Sequence, residues 1–268
     1  MNTLRKLLAR ITGADSAISA PFTITFPNGG AALALHAARR AAPEQVAEAL
    51  ALARPRPVIV LMGGASLMQT EQLGAARAAI EDGIARFAAE HSADVLTGGT
   101  AVGVMALIGL ARQRRGYRFP LIGVAPAAKV TYPGCPDASH PERIALDANH
   151  SHFVLTDGDD FGAESALLAN LGYAIGGGRE QGVLGIVING GEIVRQEAHA
   201  RATGSPRFPL LVLEGSGRFA DELAAARRSG RGDHPLTRAI LQRGSVHFLP
   251  LSAGADSLRG WLSSYFSR

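Results

Sequence analysis

Three glycine-rich turns have the composition of loops that hold phosphate groups. They are Gly63-Gly64-Ala65-Ser66, residues 98–103 and residues 215–218. Glycine lets the backbone approach a ligand closely, and the free N–H groups at a helix start attract phosphate oxygens. Because each turn follows an apolar run, the three turns together predict a phosphorylated ligand at one sheet edge. None of them is a P-loop or a complete Gly-x-Gly-x-x-Gly fingerprint.

Two charged residues accompany these turns. Arg218 follows a glycine at a predicted helix start, where it either clamps a pyrophosphate or remains an exposed helix residue. Glu164 lies at the start of another predicted helix, where its carboxylate either faces a ligand or simply complements the helix dipole. We expect the helix start to lower the pKa of Glu164, which suits an ionised stabiliser and not a general acid.

A polar segment, residues 147–152, carries Asp147, Asn149, His150 and His152 directly before a predicted strand. These groups are expected to hydrogen-bond a sugar or to close the loop. A metal site would need a third ligand besides the two histidines, with Asp147 or Asp157 as the near candidates, and we predict no metal. Cys135 has no evident catalytic partner.

Strand and helix patterns alternate along most of the chain. Short continuous apolar runs predict strands at 58–62, 95–96, 121–124, 153–155, 184–188, 210–213 and 246–249. Helical patterns occupy 70–89, 103–115, 163–175, 192–202, 218–228 and 236–242. This alternation predicts an α/β fold, a Rossmann-like three-layer sandwich with a mostly parallel sheet.

The first 55 residues have a different pattern. A short helix, a β-hairpin turning at Pro27-Asn28-Gly29-Gly30, and a second helix predict an N-terminal appendage at 1–55. Residues 56–268 then form the main domain. Within it, the segment 125–149 lacks periodicity and is the longest predicted loop.

Composition excludes several classes of protein. The chain has 268 residues, of which 47% are hydrophobic and 19% charged, so it is neither disordered nor fibrous. Its one cysteine excludes an intramolecular disulfide framework. No apolar run reaches the about 18–20 residues of a membrane helix. Arg10 interrupts any signal-peptide core, so we expect a cytoplasmic protein.

The excess of basic over acidic residues is small. The net charge is +4, and 25 of the 27 basic residues are arginines. The arginine clusters at 112–118 and 227–231 are not interleaved with aromatic residues, so nucleic-acid binding is not favoured.

Several motifs, taken in order, resemble the SLOG superfamily, and most closely its LSDAT branch, shared with the N-terminal cytosolic region of melastatin-type (TRPM) channels. The similar motifs are Val58–Gly64, Leu96–Met105, Leu121–Pro126, Leu146–Phe153, Phe161–Glu164, Asn189–Gly191 and Gly215–Asp221. The chain departs from the channels at Ala127-Ala128, where they usually carry Trp-Gly.

This resemblance implies a stand-alone sensor of a nucleotide-derived small molecule such as ADP-ribose or a relative of NAD, with no required cofactor. The alternative is a LOG-type phosphoribohydrolase, a nucleotide N-glycosidase with Glu164 as its catalytic residue, although the Pro-Gly-Gly of that motif is missing before Glu164. A third class is an assembly module that uses the arginine-rich faces, and a homo-oligomer is compatible with the sequence.

The turns and the resemblance together define the candidate ligand-binding residues. They are Gly63, Gly64, Ser66, Gly98, Gly99, Thr100, Gly103, Ala125, Pro126, Asn149, His150, Gly162, Glu164, Gly215, Ser216, Gly217 and Arg218.

Overall fold

A computed structural model describes residues 17–64, 68–136 and 140–267. The predicted helix at the start of the chain lies outside these residues. The strands are β1 Phe22–Thr25, β2 Ala31–Ala37, β3 Val58–Gly63, β4 Asp94–Thr97, β5 Leu121–Pro126, β6 Val130–Thr131, β7 Ile144–Ala145, β8 His152–Thr156, β9 Val183–Ile188, β10 Leu210–Glu214 and β11 Val246–Pro250. The described part of the chain forms one nine-stranded sheet in the order β1-β2-β8-β5-β4-β3-β9-β10-β11 and a small β6-β7 sheet.

Helices cover both faces of the large sheet. They are α1 Pro43–Ala49, α2 Thr70–Ala78 continuing through a π-helical stretch at Ala79–Ala85 to Arg86–Glu90, α3 Gly103–Arg114, α4 Ser165–Ile175, α5 Glu192–Thr203, α6 Arg218–Ser229, α7 Pro235–Arg243 and α8 Gly254–Phe266. The α/β prediction is confirmed: every neighbouring strand pair of the large sheet is parallel except β1-β2. No described helix has the length and apolar character needed to cross a membrane.

The central strands are apolar on both faces because helices cover both. In β3, Val58, Val60 and Met62 belong to one core, whereas Ile59 and Leu61 belong to the other. This period of two explains why the strand reads as a continuous apolar run in the sequence. The first core lies under α1, α4, α5, α6 and α7, and the second under α2, α3 and α8.

Six strands reproduce the order of a doubly wound nucleotide-binding sheet. Numbered along the chain, β5-β4-β3-β9-β10-β11 correspond to the order 3-2-1-4-5-6. After β3 and β4 the chain crosses on one face through α2 and α3, whereas α4 and α5 on either side of β9 cover the other face. The topological switch point therefore lies between β3 and β9, and ligands of such sheets bind beyond the strand ends at this point.

The N-terminal hairpin shares the main sheet. β2 pairs in parallel with β8, with Leu33 opposite His152, and β1 forms the sheet edge. α1 packs against α4 through the first core. The segment 125–149, predicted as a loop, contains the last two residues of β5 and the short β6-β7 pair in which Val130 lies opposite Ile144.

Candidate functional site

A cleft of about 210 Å³ opens at the switch point, beyond the ends of β3 and β4. The starts of α3, α4 and α5 form its walls. Its lining residues are Leu61, Met62, Gly63, Gly98, Thr100, Val102, Met105, Ile144, Phe161, Gly162, Glu164, Ser165, Leu168, Ile193, Val194 and Glu197. Its position is the one at which sheets of this order bind ligands.

The rim of the cleft is apolar and exposed. Val102, Phe161 and Ile193 are 46%, 37% and 64% exposed, and they are the exposed large hydrophobic side chains of the described residues. All three line the cleft. A concentration of exposed apolar surface at one concave site is typical of ligand binding, and it suits a flat apolar group such as a nucleobase.

Glu164 lies in the cleft wall directly before α4. The N–H of Gly162 donates to its Oε2 over 2.8 Å, and the side chain is buried. Burial raises the pKa of Glu164 despite this bond. The expectation that the helix start lowers this pKa is therefore wrong in direction, because removal from water outweighs the favourable backbone N–H.

A second carboxylate, Glu197, faces the same cleft from α5. Burial raises the pKa of Glu197 to about 7, the nearby charge of Glu164 adds to this rise, and Arg201 opposes it. Sequence reasoning missed Glu197. Nothing local separates it from Glu192 on the same polar helix, because only the rotation of α5 against β3 directs one glutamate inward and leaves the other exposed.

Three helix starts meet at the cleft. α3 begins after Val102, α4 after Glu164 and α5 after Gly191, and no side chain of the described residues caps any of the three. First-turn N–H groups lack partners inside their own helix, and the helix dipole places partial positive charge at the same point. The cleft therefore offers donors to an anion from three directions.

A chain of buried hydrogen bonds among Asp147, His150 and Thr97 packs beneath the Gly98–Thr100 loop. His150 lies with Nε2 2.9 Å from Thr97 Oγ1 and with Nδ1 2.8 Å from Asp147 Oδ2. The N–H of Gly99 donates to the same Thr97 Oγ1 over 2.9 Å. His150 is 1% exposed, so the structure places it under the loop as a support and not in the cleft lining, where a sugar contact would require it.

The Gly215–Gly217 loop is closed by its own helix. The Asp221 carboxylate accepts the N–H of Gly215 over 2.6 Å and that of Gly217 over 3.1 Å. The Arg218 guanidinium reaches across to Gly191 at the start of α5, where a Cβ atom would lie 2.5 Å from Nη2. Because Asp221 occupies these backbone N–H groups, a ligand at this loop would contact the Arg218 side chain more readily than the loop backbone.

The structure thus separates the candidate residues. Five of them line the cleft: Gly63, Gly98, Thr100, Gly162 and Glu164. Ser66 lies outside the described residues. Most of the others lie around the cleft or below it: Gly64, Gly99, Gly103, Ala125, Pro126, Gly215, Ser216, Gly217 and Arg218. Asn149 and His150 line a separate cavity at the other end of α3. Their contact with a ligand stays a prediction.

Strand order, layering and the cleft define a Rossmann-like α/β domain with a concave site at its switch point. Residues 56–259 match the family model described as SLOG in TRPM, prokaryote, so the chain belongs to this family and the resemblance of its motifs is confirmed. The chain is also similar to a transient receptor potential channel of Caenorhabditis elegans, with 29% identity over 201 residues. This match covers 65% of the chain and 10% of the channel.

Proposed function

We propose that the chain binds a nucleotide-derived small molecule in the cleft at the switch point. The observation that carries this proposal is the meeting of three uncapped helix starts with an apolar rim at one concave site. The helix starts suit phosphate groups, and the rim suits a base. Membership in the SLOG family and the similarity to a transient receptor potential channel support the same ligand class.

ADP-ribose and relatives of NAD are the proposed ligands. A diphosphate would lie at the starts of α3 and α5, with Arg218 as an additional charged donor beside Gly191. Glu164 would accept hydrogen bonds from sugar hydroxyls, since a carboxylate oxygen is an acceptor for O–H donors. A cytoplasmic location, a role as a sensor and a homo-oligomeric state stay predictions.

A thermal-shift panel of ADP-ribose, NAD and AMP tests this proposal. Ligand at about 100 times its dissociation constant stabilises the folded state by roughly 2.7 kcal/mol. Ile193→Glu places a charge in the cleft rim, and Gln196→Glu adds the same charge elsewhere on the exposed side of α5. We expect only Ile193→Glu to abolish the shift. A flat panel at millimolar concentrations, or equal loss in both variants, contradicts binding in this cleft.

The Glu164–Glu197 pair favours a second candidate, a nucleotide N-glycosidase. A glutamate with a pKa of about 7 is suited to donate a proton to the leaving base. An ionised Glu164 would stabilise positive charge on the ribose as the bond from C1′ to the base nitrogen breaks. Water would then add to C1′, and the proton that it releases would return to Glu197. The products would be free base and ribose 5-phosphate if AMP is the substrate.

Chromatography of AMP incubated with the purified protein distinguishes the two candidates. We expect AMP and ADP-ribose to remain intact over hours, and Glu164→Gln to change affinity alone. Base release that Glu164→Gln and Glu197→Gln both abolish would establish the hydrolase instead.

A further inference from the structure

A second cavity, of about 430 Å³, lies at the other end of α3 from the cleft. It is lined from the segments 28–31, 112–118 and 148–150, and we call it the arginine cavity. Met105 near the start of α3 lines the cleft, whereas Arg112 and the turn after the helix line the arginine cavity. At about 1.5 Å per helical residue, the two sites are separated by most of the helix length.

Two arginines of this cavity lack acidic partners, unlike their neighbour. Arg115 lies 2.7 Å from Glu81 and 2.8 Å from Asp82. In the described residues, neither Arg112 nor Arg118 has a carboxylate within 4.0 Å. The cavity lining itself contains no aspartate or glutamate. Two cationic groups therefore share a polar concavity whose lining holds no carboxylate, and Asp147, just outside the lining, is bonded to His150.

The guanidinium of Arg112 is held in a fixed orientation. Its Nε donates to the carbonyl of Phe119 over 2.9 Å, and its Nη1 donates to the carbonyl of Asn149 over 3.1 Å. It also lies 6.0 Å from the centre of the Phe119 ring. Burial and the like charge of Arg118 lower the pKa of Arg112, as expected for two cations held close together. An arginine oriented before a ligand arrives loses little entropy on binding it.

The β1–β2 turn adds a side-chain amide to the cavity lining. The β1–β2 turn carries Asn28, whose Nδ2 donates to Asn149 Oδ1 over 3.2 Å. Gly29 at the tip of this turn has a φ of +81°, and no atom lies within 4 Å of the place where its Cβ would be. The guanidinium groups of Arg112 and Arg118 and the glycine-containing β1–β2 turn therefore leave space in the cavity for an oxyanion that carries a substituent.

We propose that the arginine cavity is a second ligand site, which binds a small metabolite through its phosphate group. Arginine matches phosphate oxygens with paired N–H donors, and such charge-assisted bonds are the strong ones. The volume exceeds that of a single phosphate, so the ligand carries a further polar group that faces Asn28. A nucleic-acid strand fits less well, because Tyr117 is the one tyrosine, phenylalanine or tryptophan in the lining and offers no row of stacking surfaces.

A titration with inorganic pyrophosphate at constant ionic strength tests this site by NMR. The backbone amide signals of Gly29 and Gly116 report on the arginine cavity, and those of Gly98 and Gly162 report on the cleft. We expect saturable shifts at Gly29 and Gly116. The two sites are thereby measured separately, so the cavity can bind pyrophosphate whether or not the cleft does.

Two exposed arginines of the same segment form a matched pair of variants. Arg118→Ala removes a cavity arginine, and Arg114→Ala removes the same charge outside the lining. We expect Arg118→Ala to raise the dissociation constant read from Gly29 by about 10-fold or more, the effect of losing a charge-assisted hydrogen bond. Arg114→Ala should change it by less than about twofold, the small effect of a screened surface charge.

Three results would overturn the proposal. Shifts confined to the cleft glycines would leave the arginine cavity without a ligand. Equal losses in the two variants would reduce the effect to general surface charge. Displacement of pyrophosphate by a single-stranded oligonucleotide at lower concentration than by AMP would assign the surface to nucleic acid instead of a small metabolite.

Discussion

The starts of α3 and α6 both follow a glycine-rich turn after a parallel strand, yet they are built differently. The turn before α3 is shaped by packing: Gly99 has a φ of +73° and its Cβ position would lie 2.8 Å from the Cα of Gly123. The turn before α6 is shaped by a carboxylate, that of Asp221, which occupies two of its N–H groups. Similar glycine spacing therefore produces one helix start open to the cleft and one that is satisfied internally.

The largest expected effect comes from breaking the packing under the first turn. Gly99→Ala combines a strained backbone with a clash against β5, and we expect it to lower the free energy of unfolding by about 3 kcal/mol. Gly116→Ala is the control, since Gly116 has a φ of +65° but open space around it. It should cost about 1 kcal/mol. Equal losses in urea denaturation would show that backbone strain alone matters.

The second turn should respond to the loss of its carboxylate. Asp221→Ala leaves the N–H groups of Gly215 and Gly217 without their acceptor, and we expect a loss of about 2 kcal/mol in unfolding free energy. Asp256→Ala, which removes an exposed acid from the first turn of α8, should cost less than about 0.5 kcal/mol. Ligand affinity should change in neither variant. A variant at Asp221 that binds more tightly would show that this turn competes for phosphate.

Replacing Arg218 tests whether the start of α6 contributes to ligand binding through a side chain instead of through its backbone. We expect Arg218→Ala to weaken ADP-ribose binding by about 10-fold while the protein stays folded, because one charge-assisted contact is lost. Arg227 on the same helix is exposed and is the control. Calorimetry that finds the two variants equal would remove α6 from the site entirely.

The smallest expected effect is a pH dependence of ligand affinity that comes from Glu197 in the cleft. The folded-state pKa of Glu197 is raised to about 7, so its charge appears as the pH rises through 7. A phosphate-bearing ligand then meets one more negative charge, and its affinity should fall by up to about fivefold, or ~1 kcal/mol. Glu197→Gln should flatten this profile between pH 5.5 and 8.5. An unchanged profile in the variant would assign the titration to another group.

The same raised pKa has a consequence for stability. Because the Glu197 carboxyl binds its proton more tightly in the folded state, it stabilises the folded protein most at a pH below its ordinary pKa of 4.5. This stabilisation is lost as the pH rises to about 7. Glu197→Gln should therefore be less sensitive to pH in thermal unfolding over this interval.

What the sequence could predict depends on how local each feature is. The run Val58–Met62 identifies its strand because both faces of that strand are covered, and Glu164 follows its turn directly. Glu197 could not be found in this way, since its role depends on how α5 lies against distant strands. The hydrogen bonds between Asp221 and the turn before α6 could have been predicted, because Asp221 lies only four residues after Gly217. The spacing of the glycines alone does not indicate these bonds.

The pairing of β2 with β8 also bears on aggregation. Without residues 17–55, the sheet would end at β8, whose Val154 and Leu155 are fully buried, and a row of unpaired backbone N–H and C=O groups would be exposed beside them. Such an edge recruits strands from other molecules. The hairpin covers this edge and leaves the four-residue β1 as the outer strand, so we expect removal of residues 17–55 to promote edge-to-edge association.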